Sequence, residues 1–221
     1  MRGSMPMGDG LPRRGTLLPM FLALALMSDH WKAPDVPTNG TKPAIWTREE
    51  WGAKPPVLPM EPHTITRITI HHTGVKQTPQ RDFGDKLRGL QAWSQREDQL
   101  AGGRTKPQWT DIPYHYYIDW SGRIAEARPV ELPGDTNTSY DVRGHLLIVV
   151  EGLFPEDTLH EPQRQSLYQL TSYLAREHKV FPHAIKGHVD FAPGETDCPG
   201  ASLIHEIPHL RLWLAQQEPW W

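Results

Sequence analysis

The sequence predicts a single α/β domain in which helices flank a central mixed β-sheet. Two observations support this fold class: β-branched segments alternate as strands do, and apolar residues recur at helical spacing between them. Because strand and helix patterns alternate along the chain, the helices should pack on the faces of the sheet. The 221 residues, 38% of them hydrophobic, are enough for one well-buried core.

Four segments have the pattern of strands. Residues 67–72 alternate and are β-branched, and residues 114–119 and 146–151 have a similar pattern. A Ser-Gly pair at 121–122 is typical of a turn and leads into a fourth segment, residues 123–127. These segments are the expected strands of the sheet.

Three segments are predicted to be helical. The apolar positions at helical spacing are Phe83, Leu87, Leu90 and Trp93 in the first, and Leu167, Leu170, Tyr173 and Leu174 in the second. A third helix should carry residues 210–215. The first helix falls between two predicted strands, as an α/β domain requires.

The amino-terminal residues differ from the rest of the chain. Arg13 and Arg14 precede an apolar run at residues 17–27, which is too short to span a bilayer comfortably. This pattern is typical of a secretory signal peptide over residues 1–28, with Ala-Leu-Ala at 23–25 as a cleavage triplet; an anchor or an unstructured tail is the alternative. We expect an exported protein, periplasmic or extracellular, without stable membrane insertion after processing.

A linker separates this segment from the folded domain. Residues 34–43 contain Pro and Gly and are typical of extended chain. We therefore expect a linker over residues 29–43 and a folded domain over residues 44–221.

Charge and cysteine content limit the function classes. The 23 basic and 26 acidic residues nearly balance and form no dense basic block, which argues against nucleic acid as a partner. The single cysteine, Cys198, excludes an intrachain disulfide. Its thiol is a buried small hydrophobe, a nucleophile or a metal ligand.

Three motifs carry the chemistry: ITIHHTG at residues 68–74, DIPYHYYID at 111–119 and GHVDFAPGETDCPG at 187–200. Each alone is weak evidence. Together they bring histidines, a thiol and a tyrosine from separated parts of the chain, as a folded catalytic zinc site requires.

Strand parity distinguishes the two adjacent histidines of the first motif. Neighbouring residues of a strand point to opposite faces, so His71 shares a face with Arg67 and Thr69, whereas His72 shares one with Ile residues. The polar face is the expected groove side. We therefore predict His71 as a metal ligand and His72 as a packing or supporting residue.

His188 and Cys198 are the other predicted ligands. They lie ten residues apart in a loop rich in Pro and Gly, which can fold back to bring both side chains to one ion. Two imidazoles and one thiolate leave the fourth position of tetrahedral zinc open to water, as in catalytic sites. Such a site polarises a carbonyl oxygen and lowers the pKa of bound water toward about 7.

These motifs resemble the type 2 N-acetylmuramoyl-L-alanine amidase and peptidoglycan recognition protein superfamily over roughly residues 44–215. The matching segments are residues 45–56, 70–73, 114–129 and 187–200, of which the last is the most specific. The resemblance implies a Zn²⁺ site of His71, His188 and Cys198. It also implies hydrolysis of the amide bond between the muramoyl lactyl group and L-alanine, with peptidoglycan or a muropeptide as substrate.

The resemblance also implies further catalytic residues. Tyr114 and Thr196 match positions that support the tetrahedral intermediate. Some bacterial relatives carry a glutamate base where this chain has Val149, with Glu151 two positions on. The leaving amine must be protonated by Glu151, by His72 or by a water, and the sequence leaves this choice open.

Three other interpretations compete with a zinc amidase. One is a peptidoglycan-binding module of the same fold without activity, although all three ligand positions are filled. Another is a cysteine hydrolase, with Cys198 as nucleophile beside His188. The third is a zinc metallopeptidase, because residues 205–209 read HEIPH. That motif needs both histidines on one helical face, and Pro208 should prevent a continuous helix, so the helix is expected to begin at Pro208.

Overall fold

The structure, a computed structural model, describes residues 31–217. Every element below belongs to one compact unit that begins at residue 34. The predicted signal peptide, residues 1–28, lies outside the described residues. Residues 34–43, part of the expected linker, contain neither helix nor strand.

A six-stranded mixed sheet forms the centre of the domain, in the strand order β1-β6-β5-β7-β2-β8. Its strands are β1 (Ile45–Trp46), β2 (Arg67–His72), β5 (Tyr116–Ile118), β6 (Ile124–Glu126), β7 (His145–Val150) and β8 (Ile185–Gly187). Only β5 and β6 pair antiparallel; the other neighbours are parallel. Two short strands, β3 (Asp98–Gln99) and β4 (Thr105–Lys106), form a separate antiparallel ribbon. The predicted α/β fold with a mixed sheet is therefore confirmed.

Three helices flank the sheet: α1 (Phe83–Ser94), α2 (Glu161–Glu177) and α3 (Ala201–Ala215). Asp82 caps α1 by accepting a hydrogen bond from the Asp85 backbone N–H. Helix α2 contacts β5, and α3 contacts β8. Among the described residues, no helix is long and apolar enough to cross a membrane.

Helix α3 corrects one prediction. It runs unbroken through Pro208, so the expectation that it begins there was wrong. A proline inside a helix costs about 3 kcal/mol. Here that cost is outweighed by an inner face that recurs at helical spacing and is buried, namely Leu203, Ile207, Leu210, Trp213 and Leu214.

The sheet face that carries His71 meets α1. His71 pairs in register with Val149 of β7, which pairs in turn with Tyr117 of β5, so the three share this face. Val149 and Tyr117 join Phe83 and Leu87 of α1 in one buried cluster. His71 lies next to the carboxyl end of β2, where parallel strands commonly present ligand-binding residues.

Candidate metal centre

Three potential ligands converge at this end of the sheet. The ligand atoms of His71, His188 and Cys198 all lie within 4.8 Å of one another, and all three residues are buried. The convergence follows from strand pairing: β2 and β8 are parallel neighbours, and Ile70 pairs with Gly187. His71 follows Ile70 in β2, and His188 follows Gly187 at the end of β8, so the two imidazoles lie side by side with ring centroids 4.6 Å apart.

Cys198 reaches the two histidines from the loop before α3. Its Sγ lies 3.6 Å from His71 Nδ1 and accepts a hydrogen bond from the His72 backbone N–H at 3.4 Å. The Cys198 backbone N–H donates to Thr196 Oγ1 at 3.1 Å, and its carbonyl accepts from the Val189 N–H at 2.8 Å. These bonds fold the loop back onto the histidine segment, as the Pro- and Gly-rich sequence predicts.

The donor set fits zinc. His71 presents Nδ1 to the cluster, 3.6 Å from Cys198 Sγ, and its ring centroid lies 4.6 Å from that of His188. Two imidazole nitrogens and one sulfur are ligand types that Zn²⁺ accepts, with a fourth position left for solvent or substrate. A dication bound by His71, His188 and Cys198 would account for the clustering of three buried titratable groups.

Burial keeps the metal-free ligands neutral. It lowers the pKa of His71 well below the usual value, and the neighbouring His188 lowers it further. Burial likewise lowers the pKa of His188 to about 4, and it raises the pKa of the Cys198 thiol to about 12. Both imidazoles can therefore offer a lone pair at neutral pH, whereas the thiol must lose a proton to bind a metal.

The cluster opens into a cavity of about 220 Å³. Two predicted catalytic residues, Tyr114 and Thr196, line this cavity together with the three ligands. The ring centroid of Tyr114 lies 5.1 Å from that of His71. Burial raises the pKa of Tyr114, and the Cys198 thiol raises it further, so the phenol remains a hydrogen-bond donor at neutral pH.

His72 also lines the cavity. It occupies the last position of β2, where the chain leaves the sheet, so strand parity no longer fixes which side its ring faces. Its Nδ1 is buried without a partner, and its ring stacks on Phe154 with centroids 6.5 Å apart. His72 is therefore a neighbour of the cluster rather than a member of it.

Glu151 is not brought to the cavity. Its carboxylate is buried and forms an ion pair with Lys86 Nζ at 2.8 Å. It also accepts hydrogen bonds from the backbone N–H and hydroxyl of Thr78 and from the backbone N–H of Trp120. These partners hold the carboxylate in a buried network, and the catalytic role of Glu151 stays a prediction. Val149 lies in the apolar core.

One wall of the cavity was missed by sequence reasoning. It consists of residues 135–138, between β6 and β7, with Thr138 in contact with His188. The segment is polar and has neither helix nor strand periodicity, so no sequence pattern marks it. Trp109 also lines the cavity.

The HEIPH segment does not form a metal site among the described residues, where the one group of three potential ligands is His71, His188 and Cys198. The carboxylate of Glu206 is bound by Arg164 Nε at 2.7 Å and by the Tyr168 hydroxyl. The carboxylate of Glu206 therefore links α3 to α2.

Fold and site together define a protein of the amidase and peptidoglycan recognition class. Residues 61–201 match the family model described as N-acetylmuramoyl-L-alanine amidase, and the chain belongs to this family. Comparison with curated proteins gave no match.

Solved structures agree with this assignment. The endolysin N-acetylmuramoyl-L-alanine amidase LysCS from Clostridium intestinale URNW is 27% identical, with 77% of this chain and 97% of that chain covered and a TM-score of 0.55. Drosophila peptidoglycan recognition protein SD is 24% identical, with 81% and 97% covered and a TM-score of 0.59. Peptidoglycan recognition protein LE in complex with tracheal cytotoxin is 22% identical, with 75% and 93% covered and a TM-score of 0.62. The last two share the fold.

Proposed function

We propose that this protein is a zinc-dependent N-acetylmuramoyl-L-alanine amidase, which hydrolyses the amide bond between the muramoyl lactyl group and L-alanine. The observation that carries the proposal is the buried cluster of His71, His188 and Cys198 at the base of a cavity. Family membership supports the bond that is cut. The nitrogen and sulfur donor set, with His71 Nδ1 3.6 Å from Cys198 Sγ, supports zinc.

His71, His188 and Cys198 would hold the metal. When bound, Zn²⁺ supplies Lewis acidity and activates water at neutral pH. The two imidazoles are neutral, so Cys198 as thiolate contributes the one negative charge and leaves the site a net positive charge. The buried surroundings strengthen the electrostatic interactions of that charge with a substrate carbonyl.

Tyr114 and Thr196 are the proposed oxyanion donors. Tyr114 keeps its proton because burial raises its pKa, so its hydroxyl can donate to the oxygen on which negative charge develops. Thr196 Oγ1 accepts the Cys198 backbone N–H, which leaves its own hydroxyl proton free to donate into the cavity. Of the two side chains considered for protonating the leaving amine, His72 lines the cavity and Glu151 does not.

The proposed substrate is peptidoglycan or a muropeptide. Solved relatives were crystallised with tracheal cytotoxin, one described as a monomeric diaminopimelic acid-type peptidoglycan. Because this polymer lies outside the cytoplasmic membrane, we propose that the protein acts in the periplasm or outside the cell. The apolar run at residues 17–27 supports export.

One digest tests the proposal. The full chain is incubated with a purified muropeptide of known sequence, and the products are identified by mass spectrometry with and without a chelator. We expect a free stem peptide with a new L-alanine amino terminus and a glycan with a free lactyl carboxylate. Chelator should stop the release, and added Zn²⁺ should restore it.

The same digest separates the alternatives. A peptidoglycan-binding module would bind the muropeptide without cleaving it. A cysteine hydrolase would keep its activity after zinc removal and lose it on thiol alkylation. Either result contradicts the zinc amidase.

A further inference from the structure

His188 has a partner that is not a ligand candidate. Its Nε2 lies 2.8 Å from the hydroxyl oxygen of Thr138, fifty residues earlier in the chain. The Thr138 hydroxyl in turn lies 2.8 Å from Thr136 Oγ1, which also accepts the Thr138 backbone N–H at 3.2 Å. A short chain of hydrogen bonds therefore runs from Thr136 through Thr138 to the ring of His188.

The chemistry of imidazole indicates which atoms donate and which accept in this series of hydrogen bonds. A neutral ring carries one proton, and the nitrogen that binds a metal must be the one without it. If Nε2 of His188 carries the proton and donates to Thr138 Oγ1, the Thr138 hydroxyl can in turn donate a hydrogen bond to Thr136 Oγ1. Nδ1 of His188 is then left with a free lone pair.

Two anchors hold Thr138 in place. The Asp135 carboxylate at the start of the segment forms an ion pair with the buried guanidinium of Arg128. At its other end, Ser139 donates from its backbone N–H at 2.9 Å and from its hydroxyl to the carboxylate of Glu195. Glu195 belongs to the same loop as Cys198. Hydrogen bonds therefore connect residues 135–139 to the loop that supplies two ligands.

We propose that Thr138 is a positioning residue that fixes the tautomer and ring orientation of His188, so that Nδ1 faces the metal. This inference rests on the proposed zinc function. Hydrogen-bonded partners of metal-binding histidines commonly set the ring in this way, and their loss weakens metal affinity about 10- to 100-fold.

The first measurement needs no metal. Long-range ¹H–¹⁵N NMR of the metal-free protein, labelled at histidine, reports which ring nitrogen of His188 is protonated; the signals are assigned by their loss in His188→Gln. We expect Nε2 to be protonated in the wild type and both tautomers to be populated in Thr138→Val. Protonation of Nδ1 in the wild type would overturn the proposal, whatever the variants do.

The second measurement is zinc affinity by competition with a chromophoric chelator. Thr138→Val keeps the shape of the side chain and removes the hydroxyl, so we expect affinity to fall about 10- to 100-fold. Thr138→Ser restores the hydroxyl and should remain within about threefold of the wild type. Thr110→Val is the matched control, because it removes a buried threonine hydroxyl that donates to the Leu58 carbonyl at 2.8 Å, away from His188.

The outcomes separate this proposal from the amidase proposal. Wild-type affinity in Thr138→Val, or an equal loss in Thr110→Val, would show that the hydroxyl does not act through His188. Absence of zinc binding in the wild type would instead defeat the zinc amidase, while the tautomer measurement would still decide the role of Thr138. If Thr138→Val does not fold, the proposal is tested by the tautomer of His188 in the wild type and by the zinc affinity of Thr138→Ser.

Discussion

Lys86 and Glu151 form an ion pair inside the domain, with 2.8 Å between Nζ and Oε2 and side chains that are only 4% and 2% exposed. The second carboxylate oxygen of Glu151 accepts two hydrogen bonds from Thr78, both of 2.8 Å. The pair thus connects α1 and the end of β7 to the loop that follows β2. That loop begins with Thr73 and Gly74, which line the cavity.

Glu151→Gln should therefore destabilise the fold and leave the metal site intact. The substitution leaves the buried Lys86 ammonium without its counter-ion, and such a loss typically lowers the free energy of unfolding by about 3 to 5 kcal/mol. The free energy of unfolding is measured in urea, and the zinc content of the folded variant is measured beside it. We expect a large loss of stability and about one zinc per chain.

The exposed pair Lys76–Glu156 supplies the control. Its two charges lie 2.9 Å apart on the surface, with 69% and 55% of the side chains exposed. Glu156→Gln should cost less than about 1 kcal/mol. If Glu151→Gln instead kept full stability but lost amidase activity, the carboxylate would be acting in catalysis after all.

The three proposed ligands should be individually indispensable. His71→Ala, His188→Ala and Cys198→Ala each remove one of three protein donors, so each should abolish both zinc retention and release of stem peptides. The measurements are metal analysis after dialysis and mass spectrometry of a muropeptide digest. His205→Ala, an exposed histidine of the HEIPH segment, should retain zinc and activity. Unchanged turnover in any of the three ligand variants would remove that residue from the site.

Tyr114→Phe should slow hydrolysis without removing the metal. The phenol is one oxyanion donor among several, and loss of one such donor costs on the order of 10²-fold in kcat. The partly buried ring continues to pack against His71, so zinc content and the unfolding midpoint should remain near wild-type values. A variant that loses zinc would indicate that Tyr114 supports the ligands rather than the transition state.

Periodicity and motif spacing predicted the elements that place the site. Strand β2 lies at residues 67–72 as expected, because its alternation of Ile and polar residues is a local property of the chain. The sequence also named His71, His188 and Cys198, and the structure brings them together because β2 and β8 are parallel neighbours. The pairing itself is tertiary, and only the resemblance to a family indicated it.

Tertiary contacts explain what the sequence could not provide. Helix α3 tolerates Pro208 because its inner face is buried, a balance that no local rule includes. Glu151 has the chemistry of a catalytic acid, but a lysine 65 residues earlier in the chain engages it. Thr138 lies in a segment without periodicity, and only the fold brings it to His188.

Zinc binding should be coupled to the loss of the Cys198 proton. Burial raises the pKa of this thiol from its ordinary value of 9.0 to about 12, so it is protonated throughout the range from pH 6 to pH 9. The pKa of His188 is lowered to about 4, and burial also holds His71 neutral, so neither imidazole exchanges a proton in this range. A raised thiol pKa means that each zinc must displace one proton, and binding must strengthen as the pH rises.

The expected result is an apparent zinc affinity that increases about tenfold per pH unit from pH 6 to pH 9, without the levelling near pH 9 that an ordinary thiol would give. Chelator competition across this range measures the slope, and calorimetry in two buffers of different ionisation enthalpy counts the protons. Cys198→Asp is the control, because a carboxylate is already deprotonated above about pH 5. Protons lost by solvent at the metal are common to both proteins, so the wild type should release one proton more than Cys198→Asp. Equal proton release would mean that Cys198 binds zinc without losing a proton or does not bind it.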